Sequence, residues 1–117
     1  MHLAAIAPHI KLSLQASDNA ESAVFGRGVA QLCRGVRETG SLNKAAKEMG
    51  MAYSKAWRIV KNTEEAFGVL LLERNGAHGS TLTADGERIL DLYDKLQRDA
   101  ARYAAQRLVE LSSEYEE

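Results

Sequence analysis

The chain has very little cysteine and no long apolar segment, and both absences restrict the kind of protein that it can be. Cys33 is the single cysteine among 117 residues, so no intramolecular disulfide can form and stability must come from packing. No apolar run approaches the roughly 18 residues that a membrane span needs. The first eight residues are apolar but lack the basic leading region of a secretory signal. We therefore expect one small cytoplasmic domain that does not enter a membrane.

The net charge is only −1 at pH 7, but the charged residues are unevenly distributed along the chain. Residues 27–74 contain nine basic and five acidic side chains, which gives this segment a net charge of +4. Residues 83–117 contain five basic and nine acidic side chains, a net charge of −4. This segregation favours a basic surface for a polyanion and an acidic element kept away from it. Two ordinary solvated surfaces are the alternative interpretation.

The first third of the chain combines a predicted strand with a predicted helix. Apolar and polar residues alternate over about 9–15, as in a half-buried strand, and the polar stretch 16–21 is typical of a loop. Apolar residues then recur at helical spacing, namely Phe25, Val29, Leu32, Cys33 and Val36. We expect this helix to start near residues 26–28 and to end at Gly40, because glycine readily adopts the left-handed conformation that closes a helix.

Two further helices are predicted to follow after short turns. Ser41 can cap a second helix over about Leu42–Met49, and Gly50 provides the next turn. The third helix is predicted from about Tyr53 to Phe67, ending at Gly68. Its apolar face contains Ala56, Val60, Thr63 and Phe67, and its opposite face contains Ser54, Lys55, Arg58, Lys61 and Asn62. That opposite face is largely basic and rich in hydrogen-bond donors, which suits the major groove of DNA.

A hairpin and a long helix complete the predicted architecture. The strand-like residues 69–73, the turn-rich residues 75–80 and residues 81–83 predict a two-stranded wing. Thr83 can cap the last helix, which we expect to exceed about 25 residues and whose apolar stripe runs from Ile89 to Leu111. Because so small a domain cannot cover so long a stripe, we expect a second copy to cover it, giving a homodimer. The alternative is a last helix that folds back on its own domain.

The predicted fold class is therefore mainly α (α+β), a winged helix-turn-helix. Residues 1–82 would form the DNA-binding domain, with the N-terminal strand at about 9–15 and the two-stranded wing. Residues 83–117 would form the long dimerisation helix with its acidic tail.

Short motifs follow one another in a fixed order from Phe25 to Leu96. They are Thr39-Gly40-Ser41-Leu42, Ala45-Ala46, Met49-Gly50, Tyr53-Ser54-Lys55-Ala56-Trp57, Phe67-Gly68, Leu71-Leu72-Glu73-Arg74, Leu82-Thr83 and Gly86-Glu87. In this order and spacing the segment resembles the ModE-type molybdenum-responsive regulators, and its second half also resembles the broader LysR-type DNA-binding domain. The resemblance implies a winged-helix repressor or activator domain that binds double-stranded DNA and dimerises through its terminal helix.

The resemblance also implies which residues bind DNA. It assigns residues 41–50 to the supporting helix and the start of the third helix to base reading. Arg58 is the candidate for a bidentate contact with guanine, whereas Lys44 and Lys61 are expected to contact phosphates. The complete predicted set is Ser41, Lys44, Tyr53, Ser54, Lys55, Arg58, Lys61, Asn62, Arg74 and His78. Two alternatives stay open, namely a surface salt bridge for Arg58 and either packing or a DNA-backbone contact for Trp57.

Two features depart from the ModE pattern. The wing contains only residues 75–80, with His78, where ModE-type proteins have a longer, glycine-rich, basic loop. No residues follow the last helix to form a molybdate-binding domain, so we expect this chain not to sense molybdate itself.

We expect neither an enzyme nor a metal or cofactor site. His2, His9 and His78 have no metal-site spacing with Cys33, and neither a nucleophile elbow nor a catalytic carboxylate pair is evident. The leading hypothesis is a sequence-specific, double-stranded DNA-binding transcription regulator. The alternative is a winged-helix protein-interaction module that no longer reads DNA.

Overall fold

Four helices account for most of the molecule. The computed structural model describes residues 5–16 and 23–115. The helices are α1 (Arg27–Thr39), α2 (Leu42–Glu48), α3 (Tyr53–Phe67) and α4 (Ala84–Ser113). The predicted bounds of α3 are confirmed, as is the predicted length of α4, which contains 30 residues. Residues 17–21 of the predicted loop and the final two residues of the acidic tail lie outside the described residues.

The predicted N-terminal strand is much shorter than expected. Only β1 (Leu14–Gln15) is a strand, and it pairs antiparallel with β2 (Val24–Phe25). The residues just before it are not in a strand and bind side chains of α4 instead of a neighbouring strand. The Leu12 amide donates to Gln97 Oε1 and the Ile10 carbonyl accepts from Gln97 Nε2, both at 3.0 Å. The alternation was therefore genuine, but it reflects packing against a helix.

The turn between α1 and α2 forms as the sequence predicts. Gly40 has a φ of 71° and its amide donates to the Val36 carbonyl, which closes α1. Ser41 then caps α2 by accepting a hydrogen bond from the Lys44 amide at 3.1 Å. The two helices approach closely, since a Cβ added to Gly35 would lie 2.5 Å from the Cβ of Ala45.

The wing is a short antiparallel hairpin held against the helix-turn-helix. Its strands are β3 (Leu72–Arg74) and β4 (Ser80–Leu82), joined through a 3₁₀ turn at Gly76–His78. The Ser80 amide donates to the Gly40 carbonyl at 2.9 Å, and a Cβ on Gly79 would lie 2.2 Å from that same oxygen. This close backbone contact fixes the wing relative to the turn between α1 and α2.

The core lies where all four helices and the two hairpins meet. Its fully buried larger side chains are Phe25, Leu32, Cys33, Val36, Leu42, Val60, Thr63, Leu71 and Leu90. Phe25, predicted on the first helix, lies in β2 instead, and its ring meets that of Tyr93 edge-on with centroids 5.5 Å apart. Among the described residues, no helix combines the length and apolarity needed to cross a bilayer.

Helix α4 has one side against the domain and one side uncovered. Gly86, Leu90 and Tyr93 are buried. The α4 stripe runs beside this buried side at helical spacing and consists of Ile89, Leu92, Leu96, Ala100 and Tyr103, of which Ile89 still packs against the core. Leu92 is 55% exposed and Tyr103 is 67% exposed. The described residues leave Leu92 and Tyr103 uncovered, which does not favour the folded-back helix that the sequence left as an alternative.

Candidate nucleic-acid interface

The face of α3 that was predicted to meet DNA is open to solvent. All five of its side chains are exposed, and we call them the α3 face: Ser54, Lys55, Arg58, Lys61 and Asn62. The opposite side of the helix is anchored in the core through Ala56 and Val60, both fully buried. Glu65 lies one turn beyond Lys61 on the α3 face, a position that sequence reasoning overlooked.

The basic residues near this face form no ion pair with an acidic residue in the part of the chain that the structure describes. In the described part of the chain, every ion pair either joins α1 to α4 or lies within α4. None of them includes Lys44, Lys55, Arg58, Lys61 or Arg74. The salt bridge considered as an alternative role for Arg58 is therefore absent from the described residues, and these positive charges remain available to an anion.

Two of the three arginines of α1 differ from this group. Arg34 Nη2 lies 2.5 Å from Asp94 Oδ1, and Arg37 contacts both Glu87 and Asp91 on α4. Hydrogen bonds with Glu87 and then Asp91 raise the pKa of Arg37 above its usual value, so its guanidinium remains charged. Both arginines contribute to the +4 of the central segment, but their charge is used to hold α4. The unpaired basic surface of residues 27–74 is thus narrower than the charge count suggests. Apart from Arg27 at the start of α1, it lies on α2, α3 and the wing.

Arg74 is bound by two aromatic residues of α3. Its Nη2 donates to the Tyr53 hydroxyl at 2.8 Å, and its guanidinium carbon lies 4.2 Å from the centre of the Trp57 ring. Tyr53 and Trp57 are four residues apart and therefore share one side of α3. Sequence reasoning placed Tyr53 and Arg74 in the site separately, but the hairpin register that brings them together has no local signal.

An open cleft separates the wing from the starts of α2 and α3. Its volume is about 520 Å³, and we call it the wing cleft. The residues that line it are Ser41, Leu42, Asn43, Tyr53, Arg74, Gly76, Gly79 and Ser80. Arg74 is the only charged residue of this lining, and Asn43, an exposed amide, was not among the predicted site residues. The cleft therefore carries a positive charge and borders the N-terminal end of α3 at Tyr53.

The remaining predicted residues lie around these two features. The side chain of Ser41 is engaged as the α2 cap, and Lys44 is exposed on the first turn of that helix. His78 is exposed in the turn at the tip of the wing. In residues 5–16 and 23–115, no three metal-ligating side chains converge on one point.

Glu64 has a role that its sequence position did not reveal. Its carboxylate is buried at the end of α3 and accepts hydrogen bonds from the Leu71 and Leu72 amides, at 2.7 and 3.3 Å. A carboxylate that satisfies two backbone donors fixes the direction in which the chain leaves α3. It therefore sets the position of the wing, which begins at Leu72 instead of at residue 69 as predicted.

Comparison with known sequences places the similarity in the same segment. Residues 30–87, about half of the chain, match the family model for the bacterial regulatory helix-turn-helix protein, lysR family. Transcriptional regulator ModE of Haemophilus influenzae is 36% identical over 72 residues, covering 58% of this chain and 28% of that protein. The DNA-binding transcriptional dual regulator ModE of Escherichia coli K12 is 32% identical over 69 residues, covering 56% and 26%. The match spans little more than a quarter of the length of these relatives.

Solved structures show the same fold. The CbnR_DBD–DNA complex aligns with a TM-score of 0.59 at 26% identity, covering 71% of this chain and 94% of that one. CbnR, a LysR family transcriptional regulator, aligns with a TM-score of 0.55 at 28% identity, covering 68% and 27%. The BenM_DBD/benA site 1 DNA complex, at 24% identity and a TM-score of 0.53, covers 77% and 96% and supports the fold alone.

Proposed function

From the premise that residues 30–87 form a LysR-type helix-turn-helix related to that of the ModE regulators, we propose that this chain is a sequence-specific regulator of transcription. It binds double-stranded DNA. The observation that carries the proposal is the α3 face, where basic and amide side chains are exposed together with no carboxylate partner among the described residues. The similarity to domains solved in complexes with DNA supports it.

In this proposal α3 enters the major groove and reads bases. Arg58 makes the bidentate contact with guanine, and Ser54, Lys55 and Asn62 contact neighbouring bases or phosphates. Other proposed contacts to the DNA backbone surround the helix and come from Ser41, Lys44, Tyr53, Lys61, Arg74 and His78. Residues 1–82 act as the DNA-binding domain.

Residues 83–117 act as the dimerisation element, and the α4 stripe is the surface that pairs two copies. Covering this apolar surface favours association, and a two-fold arrangement presents two α3 faces to successive major grooves. Two such faces would read a pseudo-palindromic site with half-sites about 34 Å apart.

Retention of duplex DNA by the Arg58→Ala variant tests the reading role. The probe is a duplex selected by the wild-type chain from random sequences. Loss of a bidentate arginine–guanine contact costs about 1–3 kcal/mol, so affinity should fall roughly 5- to 150-fold. Arg88→Ala is the matched control, since Arg88 is an exposed arginine of α4 whose carboxylate partner is Asp85. Equal retention of wild type and Arg58→Ala would contradict base reading by α3.

A protein-interaction module is the second candidate, and the overall net charge of −1 favours it. The two functions differ in their response to salt. Several phosphate contacts make affinity for DNA fall steeply as salt concentration rises. A flat response, or no retention of any selected duplex, would favour a protein partner.

A further inference from the structure

Trp57 and Tyr53 hold the Arg74 side chain in one position at the edge of the wing cleft. The ring of Trp57 lies under the guanidinium at 4.2 Å and the Tyr53 hydroxyl accepts from Nη2 at 2.8 Å. On the basis of the DNA-binding function proposed above, we propose that Trp57 is a positioning residue, which holds Arg74 as a preformed contact for a phosphate of the DNA backbone in the wing cleft.

The contacts of Arg74 leave its charge and most of its donors free. A guanidinium has five N–H donors in its plane, and stacking on an indole uses only the face of that plane. Tyr53 accepts one hydrogen bond, and no carboxylate of the described residues pairs with Arg74. The free edge can therefore form the charge-assisted hydrogen bonds that arginine makes with phosphate.

The surroundings of Arg74 suit a phosphate. The cleft lining contains no acidic side chain, and it includes the exposed amide of Asn43, which can donate a further hydrogen bond. The wing cannot easily swing away, because the Ser80 amide is bonded to the Gly40 carbonyl. An exposed arginine usually loses rotamer freedom when it binds, and a side chain that is already held loses less.

This role makes the effect of Trp57 on DNA binding depend on Arg74. If Trp57 only packs against the core, its substitution should weaken DNA binding by the same factor whether or not Arg74 is present. If Trp57 acts through Arg74, the effects of the two substitutions on affinity should not multiply, and the double variant should bind as Arg74→Ala does.

The test is a double-mutant cycle on a duplex that the wild-type chain selects from random sequences. Arg74→Ala should weaken binding by about tenfold on every duplex and should reduce the salt slope by about one. Trp57→Leu should weaken binding several-fold in the same manner, Trp57→Phe should recover part of the loss, and the double variant should equal Arg74→Ala. Wild-type affinity for Trp57→Leu, or effects that multiply in the double variant, would overturn the proposal.

A second arm avoids any dependence on the packing of Trp57. Tyr53→Phe removes only the hydroxyl that fixes Arg74, on a residue that is 40% exposed. It should reduce affinity about twofold to fivefold in the wild-type background and clearly less in Arg74→Ala, where only a direct contact of the Tyr53 hydroxyl with DNA can be lost; an equal reduction in both backgrounds would contradict the proposal.

Fluorescence of the free protein checks the contact without DNA. Trp57 is the only tryptophan of the chain, so its emission should change in Arg74→Ala before any duplex is added. A wild-type chain that retains no duplex would overturn the DNA-binding function, and this inference with it. If the wild-type chain binds DNA but the losses of affinity from the two substitutions multiply in the double variant, the positioning role alone would be overturned.

Discussion

The carboxylate of Glu64, near the end of α3, accepts hydrogen bonds from the backbone amides of Leu71 and Leu72. Glu64 is only 8% exposed, so both amides and the carboxylate are shielded from water. The same turn is supported from the other side, where the Thr83 amide donates to the Leu71 carbonyl at 3.0 Å. The joint between the helix proposed to read DNA and the wing is therefore a hydrogen-bonded network inside the protein.

Removing this carboxylate should destabilise the fold substantially. Glu64→Ala leaves two buried amide donors unsatisfied, and we expect the free energy of unfolding to fall by about 2–4 kcal/mol. Glu64→Gln keeps one carbonyl acceptor and should lose less. Urea denaturation measures the difference, with Glu65→Ala as the control, because Glu65 is an exposed neighbour on the same helix. A loss below about 0.5 kcal/mol for Glu64→Ala would show that the amides find other acceptors.

The helix boundaries could be predicted because local sequence signals, namely capping residues and glycines, mark where the helices begin and end. Gly40 and Gly68 both have positive φ and each ends a helix where the pattern ends, and Ser41 and Thr83 both act as the caps that they were predicted to be. Each of these signals depends on residues within one turn of the chain. The alternation over residues 9–15 is also a local signal, but it is compatible with packing against a helix as well as with pairing to a strand. Hydrogen bonds from the backbone of this segment to Gln97 of α4 replace most of the predicted strand pairing.

The candidate site was predictable only where it lies on one helix. The exposure of the α3 face follows from helical periodicity and was predicted. The stacking of Arg74 on Trp57 requires the register of the wing, and the ion pairs of Arg34 and Arg37 require the packing of α4 against α1. Because these partners are distant in sequence, a count of charges along the chain could not predict which arginines are paired.

Arg37 provides a test of whether the arginines that pair with α4 lie outside the proposed DNA-binding surface. Arg37→Ala should leave the affinity for a selected duplex within about twofold, because this arginine contacts α4 and not the proposed DNA surface. Its effect on stability should stay below about 1 kcal/mol, since both partners are partly exposed to solvent. Parallel titrations with Lys61→Ala, a proposed phosphate contact, at several salt concentrations make the comparison. A salt slope reduced as strongly by Arg37→Ala as by Lys61→Ala would place Arg37 in the interface.

The thiol of Cys33 should be inert in the folded protein. Burial in the core raises its pKa from 9.0 to about 12, with a smaller contribution from the charge of Glu64. Because the thiolate is the reactive form, a thiol reagent at neutral pH should label Cys33 only as fast as the chain unfolds. Rapid labelling of the native protein would contradict this, and Glu64→Ala should accelerate labelling by lowering stability.

The same pKa difference predicts a loss of stability in alkali. The folded state holds the Cys33 proton more tightly than the unfolded chain does, so this contribution is complete below pH 9.0 and declines as pH rises towards about 12. Denaturation midpoints measured across this range should fall with pH. The Cys33→Ala variant, which lacks the group, should show a shallower decline over the same interval.

Self-association should depend on the α4 stripe and not on exposed apolar residues in general. Leu96→Glu places a charge at the centre of the stripe, where Leu96 is 43% exposed, and should yield monomers because a buried unpaired carboxylate opposes association. Val109→Glu is the matched control: Val109 is 71% exposed but lies on the opposite side of the same helix. Light scattering coupled to size exclusion should show a dimer for wild type and Val109→Glu. A dimer that persists in Leu96→Glu, or that is lost in Val109→Glu alone, would move the interface away from the stripe.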